Sequence, residues 1–271
     1  MSRYDTMFGS LRSRGEGAFV PFLMLGDPGP AETIAAADAL IDAGADGLEL
    51  GIPFSDPVAD GPVIQRAAAR ALAGGTTPRS ALLLVRAIRE RHPHVPLGLL
   101  VYANLVVQKE LAAFYCRAAG AGADSVLVAD VPAAEAEPFS AAAVAAGIDP
   151  VMIVPADATR EQVRRVARQA RGYTYLLARA GVTGAEREIR PPSAALLGML
   201  AEEGAPPPLV GFGISTPEQV RAAVAAGAAG VISGSAVVSL VERDRGAEPA
   251  LRRSLGEFAR AMKEATRRPR E

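Results

Sequence analysis

The chain has 271 residues, 49% of them apolar, enough for a substantial core; length alone admits one or two domains, and barrels of roughly 250 residues commonly form one. Its 29 basic and 30 acidic side chains nearly cancel and form no block of like charge, which argues against a nucleic acid or an anionic membrane as the main partner. The N-terminus has no apolar segment of the secretory kind, and no apolar run reaches the roughly 18 residues that span a bilayer, so a cytoplasmic location is expected.

Asp5 to Arg12 read as a helix ahead of the first strand, placed to close the floor of a barrel. AFVPFLML (18–25) is the first strand; the Gly26-Asp27-Pro28-Gly29-Pro30 that follows does not match the G-x-G-x-x-G of an open dinucleotide-binding sheet. DAGADGLELG (42–51) holds the second strand. The next connection, about residues 53–94, has room for a loop and two helices, and Thr77-Pro78 signals a helix start. LGLLVY (97–102) is the third strand. In the helical stretch after it, the single cysteine, Cys116, lies near Leu111 and Phe114 and reads as a small buried apolar residue; it has no internal disulfide partner, which suits a reducing compartment. AGAGADSVLVAD (119–130) and AAGIDPVMIV (145–154) supply two more strands, and Thr159 to Gln162 starts another helix. YTYLLA (173–178) is followed by a polar loop to about Pro192, long enough to act as a lid. PLVGF (208–212), a helix start at Ser215 to Glu218, and AAGAAGVISGS (225–235) complete the set, and a last helix follows Pro249 and ends in the charged stretch Arg267 to Glu271. Eight strands alternating with helices imply a parallel sheet. Eight in one chain fit a closed (β/α)8 TIM barrel, one domain over residues 1–271 with an extra N-terminal helix.

Active sites of such barrels lie at the carboxyl ends of the strands. Along Gly47-Leu48-Glu49-Leu50-Gly51, alternation turns the leucines toward the helices and Glu49 inward between two glycines. A carboxylate there is costly to bury without a task or a partner; the other reading is a structural carboxylate hydrogen-bonded across the barrel. The loop that follows brings Asp56 and Asp60 to the same mouth; an Asp-Pro turn and a helix cap are their structural alternatives. Gly211-Phe212-Gly213 after the seventh strand and Ser233-Gly234-Ser235 after the eighth occupy the usual phosphate position, where backbone N–H groups and a helix N-terminus favour an anion. Gly181 to Gly184 is a third piece of that cradle in the same reading. The only histidines, His92 and His94, precede the third strand, at the wrong end for a metal site or a Ser-His-Asp triad. Neither Lys109 nor Lys263 lies at a strand end, so Schiff-base chemistry is not expected. Carbon–carbon cleavage here would need a substrate that carries its own electron sink, with carboxylates moving protons.

GAFVPFLMLGDPG (17–29), ELGIPFSDPVADGPVIQ (49–65), LLVYANL (99–105), DSVLVADVP (124–132), YTYLLARAGVTGA (173–185), GFGIS (211–215) and SGSA (233–236) resemble the tryptophan synthase alpha chain in order and spacing over almost the whole length. The resemblance implies a lyase of tryptophan biosynthesis that splits indole-3-glycerol phosphate into indole and glyceraldehyde 3-phosphate. It implies Glu49 and Asp60 as the acid–base pair with Tyr175 close by, an apolar pocket of Phe22, Leu100, Leu127, Phe212 and Ile232, and phosphate contacts at Gly184, Gly213, Gly234 and Ser235. Thr183 matches the lid residue that meets the Asp60 segment on closure. It further implies a beta chain as partner in an alpha2-beta2 heterotetramer, with Pro53, Asp56, Asn104 and Pro132 near the contact, and pyridoxal phosphate in that partner rather than in this chain. The lid departs from the family after Ala185, where Glu186 to Arg190 is charged, and the tail is rich in arginine. Three other readings share the scaffold: a stand-alone indole-releasing lyase, a regulatory subunit that activates a partner, and an isomerase of sugar phosphates. The joint presence of Glu49, Asp60 and Tyr175 speaks against the second, and the Glu49 to Asp60 loop against the third.

Overall fold

A computed structural model describes residues 2–108, 110–177 and 192–268. A Ser2–Asp5 capping box opens α1 (Arg3–Arg14), and the first half of the barrel follows as β1 (Ala18–Met24), α2 (Pro30–Asp42), β2 (Leu48–Gly51), α3 (Pro62–Ala73), α4 (Pro78–Arg91), β3 (Leu97–Val101), α5 (Ala103–Val107), α6 (Leu111–Ala121) and β4 (Ser125–Val128). The second half comprises α7 (Glu137–Ala145), β5 (Asp149–Val154), α8 (Arg160–Gln169), β6 (Thr174–Leu177), α9 (Ala194–Glu202), β7 (Pro208–Gly211), α10 (Pro217–Ala225), β8 (Gly230–Ser233), α11 (Ser235–Asp244) and α12 (Glu248–Glu264). The strands form a closed barrel in chain order, every neighbouring pair parallel, sealed where Ala18 of β1 meets Gly230 of β8.

The strands are short apolar runs with nearly continuous burial, because helices cover one face and the barrel's own side chains fill the other. Leu48, Leu50, Leu97 and Leu99 point outward into the layer shared with the helices. The interior is packed from below. Tyr4, Met7, Phe8 and Leu11 of α1 join Val20, Leu127, Tyr173 and Leu209 in one apolar cluster, so the N-terminal helix plugs the floor as the sequence leads one to expect. Ion pairs tie elements together at this lower end. Lys263 pairs with Asp46 at 2.9 Å and Glu16 at 3.1 Å, and His92 Nε2 lies 2.8 Å from Asp38. Lys109 lies outside the described residues.

Two local expectations are corrected. Thr216, not Ser215, caps α10, in a box with Gln219; the signal is shifted by one because Ser215 and Thr216 are both capable caps and Pro217 takes the first helical position. Cys116 is exposed rather than buried: α6 turns Phe114, Tyr115 and Ala118 to the core and leaves the intervening position to solvent.

The seal between β8 and β1 depends on a missing side chain. A Cβ on Gly230 would lie 2.3 Å from the Ala18 carbonyl oxygen and 2.6 Å from its nitrogen. Gly230→Ala should therefore force the two strands apart and lower stability by about 2–3 kcal/mol, read as a lower urea midpoint at unchanged slope. An unshifted midpoint would show that the seam yields without cost.

Candidate active site

Glu49 lies in β2 between Phe22 of β1 and Gly98 of β3, its Cα partners across the two ladders. It is 2% exposed. Tyr173 donates its hydroxyl to Glu49 Oε1 at 2.9 Å. Tyr173 rests in turn against Tyr4 of α1, ring centroids 5.3 Å apart, and the Tyr4 hydroxyl lies 2.8 Å from Ser125 Oγ. Gly98 makes room for these phenols, since a Cβ there would sit 3.0 Å from the Tyr4 oxygen. One hydrogen bond does not replace a hydration shell, so burial pushes the Glu49 carboxyl up to about 7, against the Tyr173 bond and with the help of the negative charge of Asp60.

Asp60 sits on the loop between β2 and α3. Gly61 and Pro62 open that helix, so Asp60 is not its cap. The sequence suggests a loop too loose to hold the acid unaided, yet the chain supplies several restraints. Phe54 stacks on Tyr102 with centroids 5.4 Å apart, Ala59 N–H donates to the Tyr102 hydroxyl at 3.2 Å, and that hydroxyl also bonds the Asp60 carboxylate. Gln65 Nε2 donates to the Asp60 carbonyl at 2.8 Å. Burial again dominates and raises the Asp60 carboxyl to about 6, opposed by the Tyr102 bond. Asp56 does not join it: its carboxylate is exposed and bonded to Ser55.

Tyr175, on β6, points inward, 5% exposed. Its ring meets Phe212 edge-on at 6.0 Å, and its oxygen accepts the Phe212 backbone N–H. Burial, then the charges of Glu49 and Asp60, drive its pKa far upward, so the phenol remains a proton-bearing donor. Gly211 is required beneath it, because a Cβ would fall 2.2 Å from the phenolic oxygen. Phe212 takes a left-handed backbone (φ 67°), a costly state for a bulky residue that orients its ring into the site.

These groups surround one cavity at the carboxyl ends of the strands. Glu49, Asp60 and Tyr175 line it. Phe22, Leu100, Leu127, Phe212 and Ile232 give it an apolar wall, and Gly213, Gly234 and Ser235 line it as well. Gly234 is the N-cap residue of α11 with no side-chain cap, which leaves the first-turn N–H groups of that helix for a ligand. Thr183 and Gly184 lie outside the described residues. Sequence reasoning missed Tyr102, Tyr173, Ile64, Ala59, Ala129 and Ile153. Tyr173 was legible as an inward neighbour of Tyr175 two residues away, but its bond to Glu49 crosses the barrel and leaves no local trace. Among the described residues no three or more His, Cys, Asp or Glu side chains gather to hold a metal. Nor is any helix among them long and apolar enough to cross a membrane.

A closed (β/α)8 barrel with a buried and a half-buried acid beside an open helix N-terminus has the plan of a barrel enzyme that handles a phosphorylated substrate by carboxylate chemistry. The family model of the tryptophan synthase alpha chain matches residues 8–267, and the chain belongs to that family. It is 54% identical over 267 residues to a tryptophan synthase alpha chain of Klebsiella pneumoniae, covering 98% of this chain and 99% of that one. It is 55% identical over 266 residues to one of Shewanella amazonensis, covering 98% and 100%. Among solved structures, tryptophan synthase subunit alpha of Legionella pneumophila superposes with a TM-score of 0.87 at 32% identity, covering 98% of both chains. A Pyrococcus furiosus structure, described as showing the basis of mutual activation of the tryptophan synthase α2β2 complex, gives 0.81 at 31% identity and covers 92% of this chain and 98% of that one.

The raised carboxyl of Glu49 has a stability signature. Between its ordinary value of 4.5 and about 7, the folded chain holds this proton more tightly than the unfolded chain does. Stability is therefore lost as pH rises through that window, by up to about 3 kcal/mol. Glu49→Gln removes the titration, so the variant should be more stable than the parent by about 2–3 kcal/mol at pH 8 and the gap should close below pH 5. Parallel stability curves across that range would contradict the desolvated carboxylate.

Proposed function

We infer that the chain performs the alpha reaction of its family, retro-aldol cleavage of indole-3-glycerol phosphate to indole and glyceraldehyde 3-phosphate, a lyase step in tryptophan biosynthesis. The observation that carries the residue-level reading is that one cavity gathers apolar side chains, the carboxyls of Glu49 and Asp60 and the N-terminus of α11, the three kinds of surface that a substrate with a flat ring, a reacting centre and a phosphate needs. Phe22, Leu100, Leu127 and Ile232 take the indole ring. Gly213, Gly234 and Ser235 take the phosphate through backbone N–H groups and the helix dipole, with Gly184 as a further contact by family resemblance.

The ring is the electron sink. Protonation at C3 and loss of the N–H proton give an indolenine; deprotonation of the adjacent glycerol hydroxyl then breaks the carbon–carbon bond and returns the electron pair to the ring, whose nitrogen regains its proton from Asp60, releasing indole and the aldehyde. Glu49, raised to about 7, carries the C3 proton and helps take the hydroxyl proton; Asp60, raised to about 6, receives or stabilises the N–H proton. Tyr175 packs against the reacting centre and donates a hydrogen bond.

The partner is a beta chain, in an α2β2 assembly, which takes the indole and holds the pyridoxal phosphate; this chain works without a cofactor of its own. Asp56, Asn104 and Pro132 are exposed around the mouth, where that partner docks, whereas Pro53 is buried within the chain. The protein works in the cytoplasm, as one domain. A stand-alone lyase would use the same residues and differs only in turnover without a partner.

Glu49→Gln should abolish turnover while a substrate analogue still binds, since an isosteric amide removes the proton carrier and little else; turnover near that of the parent would remove Glu49 from the mechanism. A Cβ at Gly234 would meet nothing nearer than Phe22 Cβ at 3.8 Å, so the position has room for a side chain to begin. Gly234→Val should raise KM for the phosphorylated substrate about tenfold or more by covering the N–H groups, and an unchanged KM would move the phosphate elsewhere. Single-turnover cleavage with and without a beta chain separates the two lyase readings: acceleration by the partner supports the complex, and equal rates support the stand-alone enzyme.

A further inference from the structure

Two helices frame the site at its mouth. α3 begins directly after Asp60, and α11 turns its first residues to the cavity. They are joined below it. Ile64 and Ala67 of α3 and Val238 of α11 share an apolar cluster with Phe22 and Met24 of β1. Beside that cluster, Glu242 of α11 accepts from two arginines one turn apart on α3: Arg66 through Nη2 at 2.8 Å and Nε at 3.0 Å, and Arg70 through Nη1 at 2.6 Å. Arg70 also forks onto Asp27, with Nε and Nη2 each 2.8 Å from a carboxylate oxygen. Asp27, in the loop after β1, is 3% exposed.

Single surface ion pairs contribute little to stability. Forked pairs that share a carboxylate, with one partner buried, instead fix how two elements lie against each other. The site needs that. Glu49 is fixed by a strand, but Asp60 stands on a loop whose downstream end is α3, and Gln65 of α3 already holds its carbonyl. The group that Asp60 serves and the phosphate sit at opposite ends of one ligand, so the distance from Asp60 to the α11 terminus must match the ligand's length.

We propose that Arg66, Arg70 and Glu242 are positioning residues, which lock α3 to α11 and so hold Asp60 at a set distance from the helix end that receives the substrate's phosphate. The proposal deepens the function inferred above and rests on it. The groups that act electrostatically around Asp60 are Tyr102, next to α5, Glu49 on β2 and Tyr175 on β6. None lies on α3 or α11, so loosening the clamp reaches Asp60 through its position.

Glu242→Gln tests this, since it leaves the buried Asp27–Arg70 pair in place. In the complex with a beta chain, kcat for indole-3-glycerol phosphate should fall about tenfold, with KM within about twofold. In the isolated chain, carboxyl-carbon NMR of Asp60 should show its titration moving from about 6 toward the ordinary carboxylate range as the displaced side chain becomes solvated. Arg66→Met should act in the same direction with a smaller effect, and it decides the matter if Glu242→Gln does not fold. Arg86→Met, which removes the surface pair of Arg86 with Glu90 on α4, should change neither readout. A folded Glu242→Gln or Arg66→Met protein with parental kcat and an unmoved Asp60 titration overturns the proposal. A parent chain that does not cleave the substrate refutes the inferred function instead, and the NMR titration still decides whether the clamp positions Asp60.

Discussion

The site is organised by the desolvation of Glu49. A carboxyl group within a closed apolar barrel, with one phenol as its hydrogen-bond donor, holds its proton up to about neutral pH, and nearby features serve to keep it there. α1 seals the floor through Tyr4 and prevents water from reaching the group from below. Gly98 admits the phenols that support it, and the cavity above admits the ligand. The arrangement is unfavourable for stability near neutrality and leaves a carboxyl that can exchange its proton there.

The two acids are held by different means. Glu49 inherits the rigidity of the sheet, with ladder partners on both sides. Asp60 is fixed by side chains: Tyr102 through its carboxylate, Gln65 through its carbonyl, and the packing of α3 on α11. A strand can hold an atom without assistance; a loop requires neighbours, and here those neighbours come from three separate elements. The dependence of Asp60 on such contacts explains how a protein docking at the mouth could influence chemistry that occurs inside it.

Much of this architecture was legible in the sequence because it is local. The alternation of short apolar runs with helical stretches located all eight strands, and period two along Gly47 to Gly51 placed Glu49 inside and its leucines outside. The capping boxes at Thr77 and Thr159 marked two helix starts correctly. At α10, two adjacent hydroxyl residues gave an ambiguous signal and the structure chose the second. Cys116 was misplaced because an alanine-rich helix offers little contrast between its faces. What the sequence could not reveal was contact across the barrel. The Tyr173–Glu49 bond spans 124 residues and the Arg66–Glu242 pair 176, and neither leaves a pattern within one element.

With one carboxyl raised to about 7 and the other to about 6, the pair retains close to one proton just below neutrality. The cavity is therefore less anionic than two acids at ordinary values would make it, and a phosphate dianion entering it meets roughly half the repulsion that two full charges would exert. Its arrival, in turn, favours keeping that proton. Substrate capture and proton uptake are thus thermodynamically linked, and the heat released on binding must depend on the ionisation enthalpy of the surrounding buffer.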